Sequence, residues 1–237
     1  MIVVLFLFLC ISNSTGMDIE IEKRWDSKRD SIYNLKTNID RVKRNLKRDL
    51  ISCNEKDRLT ALIIRIMLYT SERVGNRESA TNGHFGVTQF KNKHIKVVGK
   101  RVILDYVGKS GVEHEKSFVD IKCASMIKSL LSRGNEYVFT TKSGFTINPD
   151  RVNRYLSKFD AKSKDIRGFN ANRLVIMELN RIGKTEEKLR PRVFNDTLRK
   201  VGAKVGHKAI TLLTHYLLPE IEKTFYKKGS VKNILIY

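Results

Sequence analysis

Between Gly86 and Val119 the chain changes its rhythm. Apolar residues stop recurring every three or four positions and fall into three short β-type runs: His94 to Val98, Arg101 to Val107 and Val112 to Val119. A Gly99-Lys100 turn separates the first pair and a Gly108 to Gly111 turn the second, so the runs read as adjacent antiparallel strands with Lys109 at the tip of the second hairpin. The stretches on either side carry helical periodicity. The fold class expected from this is mainly α with a small three-stranded antiparallel sheet packed to one side, an α+β domain.

Each flanking helix has its own signal. Lys56 to Ser71 carries Leu59, Leu62, Ile63, Ile66, Met67 and Tyr69, a stripe wide enough for a buried helix, and its end delivers Arg73. Met17 to Leu50 is dense in charge with Ile32, Leu35, Ile39, Val42 and Leu46 at helical spacing, which predicts one or two surface helices feeding the core. After the sheet, Ile121 to Ser132 ends before Gly134, and Asn148-Pro149-Asp150 is a helix start leading into Arg151 to Phe159. A longer helix follows from Lys164 to Ile182, with Arg167 in its first turn, where free backbone N–H groups face an anion. Val193 to Val205 stops at Gly206 and presents His207, Thr211 to Leu217 carries Tyr216, and Pro219 opens a last helix.

The chain has 237 residues, 41% of them hydrophobic, enough for one large domain or two small ones. Lys and Arg total 46 against 25 Asp and Glu, a net charge of +21 that points to a polyanion. Charge alone does not separate DNA from RNA or heparin. Cys10, Cys53 and Cys123 are odd in number and far apart, matching neither a disulfide framework nor zinc-ligand spacing, and read as free thiols. Residues 1–16 open with the apolar run Ile2 to Ile11 followed by Ser-Asn-Ser-Thr-Gly, the shape of a secretory leader, but without the basic residues expected before its core and too short to span a bilayer. The expectation is that Met17 is the functional start or that the leader replaced a lost domain.

Five polar residues in order carry the chemistry: Arg73 in Glu-Arg-Val-Gly-Asn, Lys109 in Val-Gly-Lys-Ser-Gly, Arg167 closing Lys-Asp-Ile-Arg, His207, and Tyr216 nine residues later. Taken singly each has a bland reading: an arginine can cap its helix, and a lysine in a glycine turn is solvated. Together they suit attack on a phosphodiester. Two guanidiniums offer planar forks that stay charged, His207 can donate a further bond, and nearby positive charge favours a phenolate. Lys109, on its short loop, can protonate the departing alkoxide as a general acid. The Gly-Lys-Ser here is not the end of a phosphate-binding P-loop, because Ile103 stands where that motif needs glycine.

These stretches closely resemble the catalytic domain of type IB DNA topoisomerases of the poxvirus and mimivirus kind. The similarity runs from Lys23-Arg24-Trp25 through Ala61 to Arg65 and the block Phe85 to Ile95 to just beyond Tyr216. The resemblance implies that Tyr216 attacks the scissile phosphate of double-stranded DNA and Lys109 protonates the 5′ oxygen. Arg73, Arg167 and His207 would hold the non-bridging oxygens, with Lys164 as an auxiliary cation. Thr88, Lys91, Lys93 and His94, within the shared block, are candidate DNA contacts. It also implies a monomer that relaxes supercoils through a 3′-phosphotyrosyl intermediate without ATP, metal or other cofactor. The expected location is with DNA inside the cell, in a nucleus, virus factory or virion, and no membrane partner is expected.

The expected organisation is a leader over 1–16, a charged helical lead-in over 17–50 and the catalytic domain over 51–237. The family's N-terminal β-rich domain is expected to be missing, so DNA should be held by a half clamp, weakly and with strong salt dependence. The poxvirus enzymes read a pyrimidine-rich site from positions that here are Asn76 and Ser79, and Arg-Val-Gly-Asn resembles the less specific mimivirus branch. A tyrosine recombinase shares the order of the five residues but normally has His where this chain has Lys164. A DNA-binding remnant of the fold without turnover is the remaining alternative.

Overall fold

The computed structural model describes the backbone of residues 16–234, and side chains from Arg29 onward except Ser110. The leader expected over residues 1–16 and Cys10 lie outside the described residues, apart from Gly16 at the start of α1. Where the sequence predicts one or two surface helices, the chain forms a single helix, α1 (Gly16–Asp49). Its stripe is not merely a lead-in: Ile32, Leu35, Ile39, Val42 and Leu46 are 0–2% exposed. Their alternating spacing of three and four keeps one face of the helix against the body of the protein.

Asn54 starts α2 (Glu55–Thr70), its Oδ1 accepting from the Lys56 and Asp57 amides at 3.0 and 3.3 Å. Leu59, Leu62, Ile63, Ile66 and Met67 are buried, making α2 the central helix that the stripe foretold. A five-residue helix α3 (Arg77–Thr81), absent from the sequence reading, follows the Arg73 turn. The sheet then forms from β1 (Ile95–Val98), β2 (Arg101–Val107) and β3 (Glu113–Val119), antiparallel in the order β1-β2-β3. Pairing of Val98 with Arg101 and Val107 with Glu113 puts the two turns where glycine predicted them. Along β2, Val102, Leu104 and Tyr106 point into the core while Arg101, Asp105 and Val107 face outward.

The rest is helical: α4 (Ile121–Leu131), α5 (Pro149–Ser157), α6 (Ser163–Ile182), α7 (Arg190–Val205), α8 (Ala209–His215) and α9 (Pro219–Lys228). Two apolar cores result. The first joins the sheet, α2, α4 and α5 with most of α1 and with Ile166 and Phe169 of α6. The second joins α7, α8 and α9 with Ile32 of α1 and with Ala171, Val175, Ile176 and Leu179 of α6. Helices α1 and α6 belong to both, and they fix one half of the molecule against the other. Among the described residues no helix is long and apolar enough to cross a membrane.

Because α1 is a core element, truncating its buried face should be costly. Leu35→Ala and Ile39→Ala, both at side chains with at most 1% exposure, should each lower the unfolding free energy by about 2–5 kcal/mol in denaturant titrations. A solvated lead-in helix would show almost no change.

Candidate active site

Arg73 reaches its place by a sharp exit from α2. Ser71 adopts the left-handed conformation, φ 61°, and its amide bonds the Met67 carbonyl at 2.9 Å. The next residues are clamped by the segment Gly86–Thr88. Val87 N donates to Arg73 O at 3.0 Å, and Thr88 offers both its amide (2.9 Å) and its hydroxyl (2.8 Å) to Val74 O. The two backbones approach so closely that a Cβ on Gly86 would lie 2.4 Å from Gly75 Cα, so both glycines are required by contact.

This corrects part of the sequence reading. Thr88 is 0% exposed and His94 5%, so neither lies on the surface where the resemblance placed DNA contacts. Thr88 holds the Arg73 turn, while His94 accepts from the Lys91 amide at 3.1 Å and packs on Phe85 with ring centroids 4.3 Å apart. Burial holds the His94 imidazole down to about 4. Lys91 pairs with Glu136 at 3.1 Å, and Lys93 is exposed.

Arg167 occupies the opposite wall. Helix α6 begins at Ser163, so Arg167 opens its second turn rather than sitting in its first. The helix start is already occupied: Ser163 N donates to Asn153 Oδ1 at 2.9 Å and Asp165 N to Lys162 O at 2.9 Å. What faces the cleft is the Arg167 side chain, 5% exposed. Its Nη2 donates to Val205 O at 2.5 Å and to His207 Nε2 at 3.0 Å. Burial, then the charge of Arg73, holds this guanidinium down to about 10, still cationic at neutral pH.

His207 follows the left-handed Gly206, φ 71°, that ends α7, and its amide turns back to Gly202 O at 2.8 Å. Since a guanidinium only donates, His207 Nε2 accepts here, where the sequence reading had it donating; the ring is neutral with its proton on Nδ1. Burial, followed by the charges of Arg167 and Arg73, pushes its pKa down to about 4. The Tyr216 ring lies 4.7 Å from the His207 ring at 30°. Tyr216 is the residue after α8, and Asn172 holds it from both sides: Nδ2 donates to Tyr216 O at 2.7 Å and Oδ1 accepts from Leu218 N at 2.8 Å. A Cβ on Gly168, one turn earlier in α6, would come 3.2 Å from Tyr216 Cδ1 and 2.4 Å from Ile32 Cδ1.

The two walls enclose a cleft of about 340 Å³ lined by Arg73, Lys109, Lys164, Arg167 and Tyr216, together with Asn76, Ser79 and His84. His207 lies behind it, touching both Arg167 and Tyr216. Thus the five predicted residues and Lys164 gather in one place, although their positions span more than half the sequence. Lys109 stands exposed at the hairpin tip. Asn76 caps α3 by accepting from Ser79 N at 2.7 Å. Asn172 and Gly168 escaped the sequence reading; the signal was a polar residue one turn beyond a glycine and just ahead of the apolar positions Val175, Ile176 and Leu179. Four cations around a phenol can hold a tetrahedral anion and stabilise negative charge developing on it. Among the described residues no group of three or more His, Cys, Asp or Glu side chains is placed to hold a metal ion.

A family model for the eukaryotic DNA topoisomerase I catalytic core matches residues 21–230, and the chain belongs to that family. No curated protein matches it. Among solved structures the chain is similar to the XerH site-specific recombinase bound to palindromic difH substrate in a post-cleavage complex, at 17% identity and TM-score 0.49. That match covers 77% of this chain and 49% of the recombinase. It is also similar to the pre-cleavage complex of XerH with difH substrate, at 16% identity and TM-score 0.47, covering 77% of this chain and 51% of that one. The chain therefore spans about half the length of these recombinase chains.

The neutral His207 gives a pH signature. Its folded pKa lies below the unfolded value near 6.5, so the unfolded state binds more protons in between and stability falls as pH drops from 6.5 towards 4. His207→Gln should make denaturation midpoints less sensitive to pH across that window than in the wild type. In wild-type NMR titrations the His207 ring should titrate near 4; titration near 6.5 would contradict a buried acceptor.

Proposed function

We propose that this chain is a type IB DNA topoisomerase of the poxvirus- and mimivirus-like kind, a monomer acting on duplex DNA inside the cell. The observation that carries the reading is the convergence of Arg73, Lys109, Arg167 and Tyr216 on one cleft, with His207 bonded to Arg167 and packed on the phenol. In the proposed reaction the Tyr216 oxygen, its proton lost to solvent, attacks the scissile phosphorus and the bond to the 5′ oxygen breaks. Lys109 supplies the proton that the leaving alkoxide needs. Arg73 and Arg167 hold the non-bridging oxygens, and Lys164 adds charge at the rim.

The resting bonds support the same roles. An entering phosphate takes the Arg167 donor that now serves Val205 O and His207. With Nε2 freed and an anion beside it, the imidazole can take a proton and donate to the phosphate. The product is a 3′-phosphotyrosyl link and a free 5′ hydroxyl, so the backbone bond energy is kept and the strand reseals by the reverse step. While the strand is open, torsional strain swivels it about its intact partner. The roles of Asn76 in capping α3 and of Ser79 beside it fit contact with DNA of relaxed sequence preference better than reading of a fixed pyrimidine site.

The test is relaxation of supercoiled plasmid with EDTA present and ATP absent. The wild type should relax supercoils of both signs, Tyr216→Phe should relax neither, and Arg167→Ala should slow the reaction by about 10²- to 10³-fold. Relaxation by Tyr216→Phe, or a requirement for paired specific sites, would overturn the reading.

A further inference from the structure

A buried acid beside the cleft takes no part in this chemistry. Glu72 immediately precedes Arg73 and is 2% exposed. Its two carboxylate oxygens reach opposite strands of one hairpin. Oε1 pairs with Lys116 Nζ on β3 at 2.6 Å, and Oε2 accepts from the Tyr106 hydroxyl on β2. Lys116 Nζ also donates to Thr70 O, the last residue of α2, at 3.0 Å, where a cation complements the carbonyl end of a helix. A charge this deep is costly unless paired, and an apolar pair would fill the same space without that cost. What the ionic pair adds over packing is a fixed geometry.

The geometry it fixes is the neck of the hairpin whose tip is Lys109. Tyr106 pairs in register with His114, and the His114 ring stacks on it with centroids 5.2 Å apart. The same ring fills the space under Gly108, where an added Cβ would come 2.6 Å from His114 Cδ2. From Glu72 the path to Lys109 is therefore continuous and short: carboxylate, Tyr106, His114, Gly108. The backbone of Arg73, by contrast, has separate tethers to Val87, and Val74 to Thr88. Removing the carboxylate leaves those in place and loosens the hairpin.

We propose that Glu72 is a positioning residue: by bonding both strands of the β2–β3 hairpin from the position next to Arg73, it sets where the Lys109 ammonium stands relative to the phosphate-holding guanidinium. The inference rests on the reading of Lys109 as the general acid. Misplacing that acid should slow departure of an oxygen leaving group by about 10²-fold. It should not slow departure of a sulfur leaving group, because a thiolate leaves without being protonated.

The experiment is single-turnover formation of the covalent adduct on two duplexes that differ only in the scissile bond, P–O5′ or P–S5′. Glu72→Gln removes the charge, Tyr106→Phe removes only the β2 bond, and the double variant Glu72→Leu/Lys116→Leu removes the link without leaving a buried charge. Thermal unfolding is followed for each, and Tyr106→Phe, which deletes one hydroxyl, carries the test should the others fail to fold. The proposal expects these variants, like Lys109→Ala, to be slow on the oxygen substrate and to match the wild type on the sulfur substrate. Equal loss on both substrates, or no loss on either, overturns it while leaving the proposed function intact. Absence of any adduct with the wild type overturns both.

Discussion

The arrangement depends on burying one guanidinium. Arg167 lies at the meeting of the two cores with only 5% of its surface exposed, and a buried cation requires acceptors. Val205 O and His207 Nε2 supply them. That requirement explains why α7 ends where it does: its last carbonyls must be free to face α6, and the left-handed Gly206 turns the chain so that His207 comes back beside the same nitrogen. Tyr216 then packs on His207, and α6 itself holds the phenol's backbone through Asn172. One helix thus presents the Arg167 cation to the cleft and secures the backbone of Tyr216.

The opposing wall is built differently, from clamped backbone together with the buried Glu72–Lys116 pair. Arg73 lies in a turn gripped by paired amides and by two glycines in contact, and Lys109 stands on a hairpin tip. Helices α1 and α6 contribute side chains to both cores and so tie the two halves of the molecule together. The cations that line the cleft repel one another when it is empty. Lowered pKa values at Arg167 and His207 record that repulsion on top of burial, and an anion entering between them relieves it.

Much of this was legible in the chain. Alternating apolar residues and glycine turns marked the three strands and their order, and Asn148-Pro149, Gly206 and Pro219 marked helix ends that lie where the residues put them. The five polar residues were recognisable by their order and local sequence. The rest was hidden because it depends on contacts between distant positions. Asn172 meets Tyr216 and Glu72 meets Tyr106 across 44 and 34 residues, and no periodicity reports such pairs. Similarly, nothing local says that Thr88 and His94 turn inward, or that an apolar stripe within so charged a segment as α1 is covered. Nor does sequence reveal that His207 is an acceptor until Arg167 is seen to donate to it.

The central claim is that the Tyr216 oxygen is the nucleophile around which the cations gather. Its most direct measurement uses a duplex whose short downstream strand dissociates after cleavage, followed by trypsin digestion and mass spectrometry of the trapped adduct. The nucleotide should be found through its 3′ phosphate on the peptide of residues 209–223, in which Tyr216 is the sole tyrosine. An adduct on another tyrosine, or one joined through a 5′ phosphate, would contradict the mechanism.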